Sequence, residues 1–178
     1  MTAPPGFENP QRTHPLNGVG AKPPVHVEAP AGVRMVAWAH WGVEQRAHFI
    51  YDELAGRPIM FNRKPGDLSR PIHADCSQFY AAICHWVGLL GLTDTDYTGT
   101  LLQKGQLVPL VGARPGDAVI FGPGTGTHAA MLTERDGKDW WIIGFGHQGA
   151  PDRGLLSGTE QWFVQHGHPG VRFLSFTP

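Results

Sequence analysis

From Phe79 onward apolar residues recur at 79, 82, 83, 86, 87 and 90, which is one face of an α-helix. Three residues earlier the same face begins with Cys76, directly behind Asp75 and just ahead of Ser77. The spacing therefore predicts a turn at 73–75, a helix capped by Asp75 or Ser77, and a cysteine in its first turn. A thiol there feels unpaired backbone N–H groups and the positive end of the helix dipole, so the expectation is a lowered pKa and a nucleophilic thiolate. The plain reading is a capped helix with a buried structural cysteine. The second cysteine, Cys84, lies two turns along the same helix. Two turns separate the Cα atoms by roughly 12 Å, too far for a disulfide, so Cys84 is read as packing.

On either side of this helix the pattern changes. Residues 1–31 hold many prolines and no apolar period, and read as an extended arm ahead of a single domain, 32–178. From Gly32 to Leu54 apolar residues repeat at three and four, predicting helix, with Gly42 as a break that splits it in two. Residues 56–72 read as a loop turning at Pro65-Gly66-Asp67, and 92–113 as irregular. Short strands then follow at 118–121, 128–134, 140–146 and 171–176, with a hairpin turn at Asp136–Asp139. N-terminal helices followed by an antiparallel meander make an α+β domain.

The chain has 178 residues and a net charge of −1, so no basic stripe points to nucleic acid. No apolar run is long enough to span a membrane, and the N-terminus lacks a signal-peptide pattern, so a protein that stays in the cytoplasm until released is expected. The cysteines lack zinc-site spacing; His166 and His168 form the one pair with a metal-ligand look, and without nearby partners no metal is expected.

Two other histidines sit where chemistry needs them. His128 opens the second strand and shares a face with Ala130 and Leu132; His147 ends the third. A hairpin that pairs Arg135 with Trp140 places His128 opposite His147, whereas a register two residues shorter makes Phe145 the partner of His128, with His147 the diagonal neighbour on the same face. The helix of Cys76 is expected to pack on the His128 face. Cys76 would then attack an amide carbonyl, His128 would hold the thiolate as an ion pair and protonate the leaving amine, and His147 would orient His128. The Cys76 backbone N–H would serve the oxyanion. Taken alone, each histidine reads as a strand-end residue facing water. His73 is read as a loop residue with the cleft as its alternative.

The run Asp75-Cys76-Ser77-Gln78-Phe79 resembles the nucleophile motif Asp-Cys-Ser-Gly-Phe of NlpC-type papain-like cysteine peptidases. Pro115 to Phe121 resembles the family's Pro-Gly-Asp-Leu-Val-Phe-Phe strand entry, and Thr127-His128-Ala129-Ala130-Met131 its His-Val-Gly-Ile strand. Gly146-His147-Gln148-Gly149 stands where the family has its third polar residue. The order holds over about residues 32–176, and Tyr51-Asp52-Glu53, Tyr97 to Leu101 and 146–151 resemble versions in endolysins of phages of actinobacteria. The resemblance implies a papain-like fold, no cofactor, and cleavage of an amide in the stem or cross-bridge peptides of peptidoglycan. It implies a triad of Cys76, His128 and His147, with Asp139 or Gln148 as other orienters of His128. Ser77, Tyr51, Asp75 and Gln148 become candidates for substrate or oxyanion contacts. It also implies action on the bacterial wall after release or within a phage particle, with targeting from a separate wall-binding domain or chain. Gln78 departs from the family's glycine and makes the helix entry bulkier. Two other functions fit the same chemistry or shape: an amidase or acyltransferase of the same superfamily, and a non-catalytic wall-binding or phage-tail module.

Overall fold

The structure is a computed structural model that describes residues 27–53, 57–146 and 149–177, with backbone alone at 57 and 58. Most of the expected arm, His147 and Gln148 lie outside these residues.

Helix α1 (Ala31–Glu44) buries Met35, Ala39 and Trp41. It runs through Gly42 without the expected break. A Cβ at Gly42 would lie 2.8 Å from two ring carbons of Phe79, so this glycine serves a close helix contact rather than a hinge. The expected helical continuation to Leu54 is also corrected. After a turn of 3₁₀ helix, Phe49–Tyr51 form a strand, β1, parallel to β2 (Ile72–Ala74). Phe49 turns inward against Trp41, Phe79 and Phe145 while Ile50 is exposed, a period of two hidden inside a stretch that also fits a helix.

The expected loop 56–72 contains a short helix, α2 (Arg57–Phe61), before the Pro65-Gly66-Asp67 turn, where Gly66 has φ of 76°. Helix α3 (Cys76–Trp86) follows β2 directly. The region expected to be irregular holds α4 (Thr98–Lys104) and β3 (Gln106–Val108). Both are too short to leave a periodic trace.

The main sheet adds β4 (Ala118–Phe121), β5 (His128–Asp136), β6 (Asp139–Phe145), β7 (Pro151–Leu155) and β8 (Val171–Ser175). Its order is β3-β8-β4-β5-β6-β7, with every neighbouring pair antiparallel. Strand β7 and helix α5 (Leu156–Gln165) were not foreseen, and β8 inserts between β3 and β4 rather than extending the meander. Among the described residues, five α-helices and this six-stranded antiparallel sheet make an α+β domain.

The alternation of side chains across the sheet makes two cores. Ala118, Ile120, Ala129, Met131, Ile143 and Phe145 face α1 and α3. Val119, Phe121, Ala130, Leu132 and Ile142 face α5 through Leu156, Trp162 and Phe163. No helix among the described residues is long and apolar enough to cross a membrane.

Candidate functional site

Asp75 caps α3: its Oδ1 accepts from the Gln78 N–H at 2.8 Å and from the Ser77 hydroxyl at 2.6 Å. Both Asp75 and Ser77 are buried, and besides capping the helix both line the cavity beside Cys76. The Gln78 side chain, which departs from the motif's glycine, turns away from the cap. Its Nε2 donates to the Asp96 carbonyl at 2.8 Å and so ties the helix entry to the turn before α4. The Asp96 carboxylate in turn accepts from the Thr93 N–H at 2.6 Å and from Lys104 at 2.8 Å.

Cys76 is 7 % exposed. Burial, with the Asp75 carboxylate beside it, pushes its thiol up to about 12, although the N–H groups of Ala129, Ser77 and Cys76 work in the other direction. This reverses the expected thiolate. Removal from water disfavours the charged form more than the helix start favours it. Cys84 is likewise buried and raised, as its packing role predicts.

A cavity of about 130 Å³ opens beside Cys76. Tyr51 and Glu53 line one side, from the end of β1. Tyr97 and Thr98 line another, from the start of α4, and Thr127 comes from the turn before β5. Tyr51 donates to Glu53 at 3.0 Å, and its hydroxyl is raised above the ordinary range by burial and by neighbouring Cys76 and Glu53. The Thr98 hydroxyl donates to the Gly126 carbonyl at 3.3 Å, joining α4 to the turn that carries Thr127. The wall is thus rich in hydroxyl groups. Thr127 could be anticipated as the neighbour of His128. Glu53, Tyr97 and Thr98 carried no signal beyond the resemblance.

His128 is the first residue of β5 and is 7 % exposed. Its ring stacks on Phe121 and Phe163, which belong to the core under α5. The expectation that α3 packs on the His128 face is therefore corrected: α3 packs on the face of Ala129 and Met131. The thiol still lies near β5, where the N–H of Ala129, the residue bonded to His128, acts to lower its pKa. The far nitrogen of the ring, Nε2, points to β6, 3.0 Å from where a Cβ on Gly144 would lie. Glycine at 144 leaves the space that the ring fills.

The hairpin register differs from both expectations. Arg135 pairs with Trp140, but an irregularity between Leu132 and Arg135 shifts the ladder so that Ala130 pairs with Gly144. Two more steps along that ladder bring His128 level with Gly146. His147 and Gln148 fall outside the described residues. Asp139 pairs with Asp136 at the other end of β5, and its carboxylate accepts from Ser157. Eight residues of strand, roughly 27 Å, separate it from His128, so it does not orient the imidazole. His73 lies in β2 rather than a loop, with Nδ1 3.4 Å from Asp52, and lines a second cavity. His166 stacks on Trp162 and its Nδ1 meets the Trp162 carbonyl at 2.8 Å. No cluster of three potential metal ligands occurs among the described residues.

The chain matches no protein-family model and no curated protein.

Proposed function

We propose that the protein is a cysteine peptidase of papain-like, NlpC-type fold that cleaves an amide bond in peptidoglycan peptides. The observation that carries this reading is the meeting of Cys76, at the start of α3, with the backbone of β5 one residue from His128, beside a cavity. Cysteine helix, strand entry and histidine strand follow one another in the order of the motifs they resemble.

The thiol rests protonated, so His128 acts first as a general base rather than as a standing ion-pair partner. Its ring rests on the face of β5 opposite the thiol, so it turns about the start of the strand to take the Sγ proton as sulfur bonds to the carbonyl carbon. Backbone N–H groups at the helix start receive the developing oxyanion. The imidazolium then returns the proton to the leaving nitrogen, the C–N bond breaks and a thioester forms. Water, deprotonated by His128, completes hydrolysis. The same thioester passed to an amine would make an acyltransferase.

One observation favours a second reading, a non-catalytic wall-binding module: the resting thiol is strongly disfavoured as a thiolate. Digestion of purified actinobacterial peptidoglycan by wild type and Cys76→Ala separates the two. A peptidase releases new amino termini that the variant does not release, and mass spectrometry of the fragments names the bond. Binding by both proteins with no release by either supports the module.

A further inference from the structure

We propose that Arg172 of β8 is a positioning residue for the hydrolysis: it clamps the glycine turn that leads into Thr127 and His128, and through that turn it fixes the imidazole at the Cys76 end of the sheet. This rests on the peptidase reading and adds a residue on which the placement of His128 depends.

The turn between β4 and β5 runs Gly122-Pro123-Gly124-Thr125-Gly126. Its three glycines have φ of 91°, 56° and 84°. Such a run has many backbone conformations open to it and needs contacts to hold one. Backbone bonds close it: the Thr127 N–H donates to the Phe121 carbonyl at 2.7 Å, the Gly126 N–H to Pro123 at 2.9 Å, and the Gly122 N–H to Gly170, just ahead of β8, at 2.8 Å. Two side chains reach it from other elements. Thr98 of α4 donates to the Gly126 carbonyl. The Arg172 contacts are the stronger: Nη1 donates to the Gly124 carbonyl at 2.6 Å and Nη2 to the Gly122 carbonyl at 2.5 Å. Hydrogen bonds from a charged donor are roughly twice as strong as neutral ones, and a planar fork that meets two carbonyls of one turn fixes orientation as well as distance.

Arg172 pairs with Ile120 across the β4–β8 ladder. Paired residues share a face of the sheet, and Ile120 belongs to the core under α1 and α3. Arg172 therefore rises on the face that carries Cys76, not on the face where the His128 ring rests. The turn folds toward that same face: a Cβ on Gly126 would collide with Cγ2 of Ile120 and lie 3.3 Å from Cβ of Thr98. Clamp, turn and thiol thus meet at one end of the sheet, with Thr127 and Cys76 both lining the cavity there. The imidazole reaches the thiol by turning about the start of β5, so the turn is the fixed end of that movement. With Arg172 in place only the ring travels. Without it the backbone of Thr127 and His128 moves as well, and the meeting of imidazole and Sγ spreads over many geometries.

The test compares wild type, Arg172→Gln and Arg172→Lys. Glutamine loses the charge and the fork, whereas lysine keeps the charge and meets one carbonyl at a time. The substrate is actinobacterial peptidoglycan made soluble with a muramidase, and rates are expressed per folded enzyme by circular dichroism. Arg172→Gln should lower kcat about tenfold and change KM by less than about twofold, and Arg172→Lys should recover part of the loss. A second readout needs no turnover. The His128 ring stacks on Phe121 and Phe163, whose ring currents displace its NMR signals. Arg172→Gln should move these signals toward those of free histidine, with Arg172→Lys between.

Unmoved His128 signals in Arg172→Gln overturn the proposal even where Tm falls, because Arg172 then only stabilises the fold. Moved signals with unchanged kcat overturn it too. If Arg172→Gln does not fold, Arg172→Lys decides by the same two criteria. If the wild type releases no amino groups, the peptidase reading fails, while the His128 signals still decide whether Arg172 sets the place of the ring.

Discussion

At residue scale the decisive group is the Cys76 thiol, where two effects oppose each other. The helix start favours a thiolate; burial and the Asp75 carboxylate disfavour it and win. Alkylation by iodoacetamide should therefore be slow at pH 8 and climb about tenfold per pH unit toward a midpoint near 12. Asp75→Asn keeps a good helix cap and removes the negative charge, so the midpoint should move down with little change in Tm. A wild-type midpoint at or below that of an ordinary thiol would mean that the imidazole or the dipole outweighs burial. The placement of Cys76 was legible because helix face and cap signal coincide in one short run. Its protonation state was not, because burial depends on segments distant in sequence that pack around the thiol.

At the scale of elements, α1 shows how a local signal misleads. Gly42 reads as a helix breaker, yet it lets α1 approach Phe79 of α3. Gly42→Ala gains helix propensity but forces a methyl into that ring, so it should lower stability by about 1–3 kcal/mol in urea unfolding. A neutral or stabilising result would show that Phe79 has room to turn.

The same helix is held to the sheet by charge. His40 of α1 and Arg153 of β7 both contact Glu134 of β5, and Arg153 also lies over the Trp141 ring, 4.1 Å from its centroid. Burial raises the Glu134 carboxyl, but these partners and Thr133 outweigh it and bring it down to about 2 from 4.5. The folded pKa is below the unfolded one. The contribution is thus present above about pH 4.5 and lost as pH falls toward 2. Thermal melts from pH 5 to 2 should show a Tm decline that is flatter in Glu134→Gln. Parallel declines would assign the acid sensitivity to other carboxylates.

For the whole molecule, one sheet separates two cores. Strands β4, β5 and β6 supply side chains to both, so their amides should be the last to exchange in native-state hydrogen exchange. Earlier exchange in α5 than in α3 would identify the α5 layer as the weaker half. His128 depends on that layer, because Phe163 of α5 backs its ring. Phe163→Ala should cost about 3–5 kcal/mol and disturb the site from the side opposite Cys76.

The α+β class, the Cys76 helix with its Asp75 cap, and four of the strands followed from the sequence, since amphipathic periods and turn residues are local and repeat several times. The short elements β1, β2, α4 and β7 did not, because three to seven residues carry too little period to outweigh their tertiary contacts. The face of the sheet met by α3 depends on strand pairing. A single irregularity between Leu132 and Arg135 shifts the β5–β6 register by one residue, and nothing local announces it. Residue types and their order were therefore settled by the chain itself. Which side of β5 holds the thiol, which side holds the imidazole, and how far burial keeps the thiol protonated were decided only when distant segments packed together.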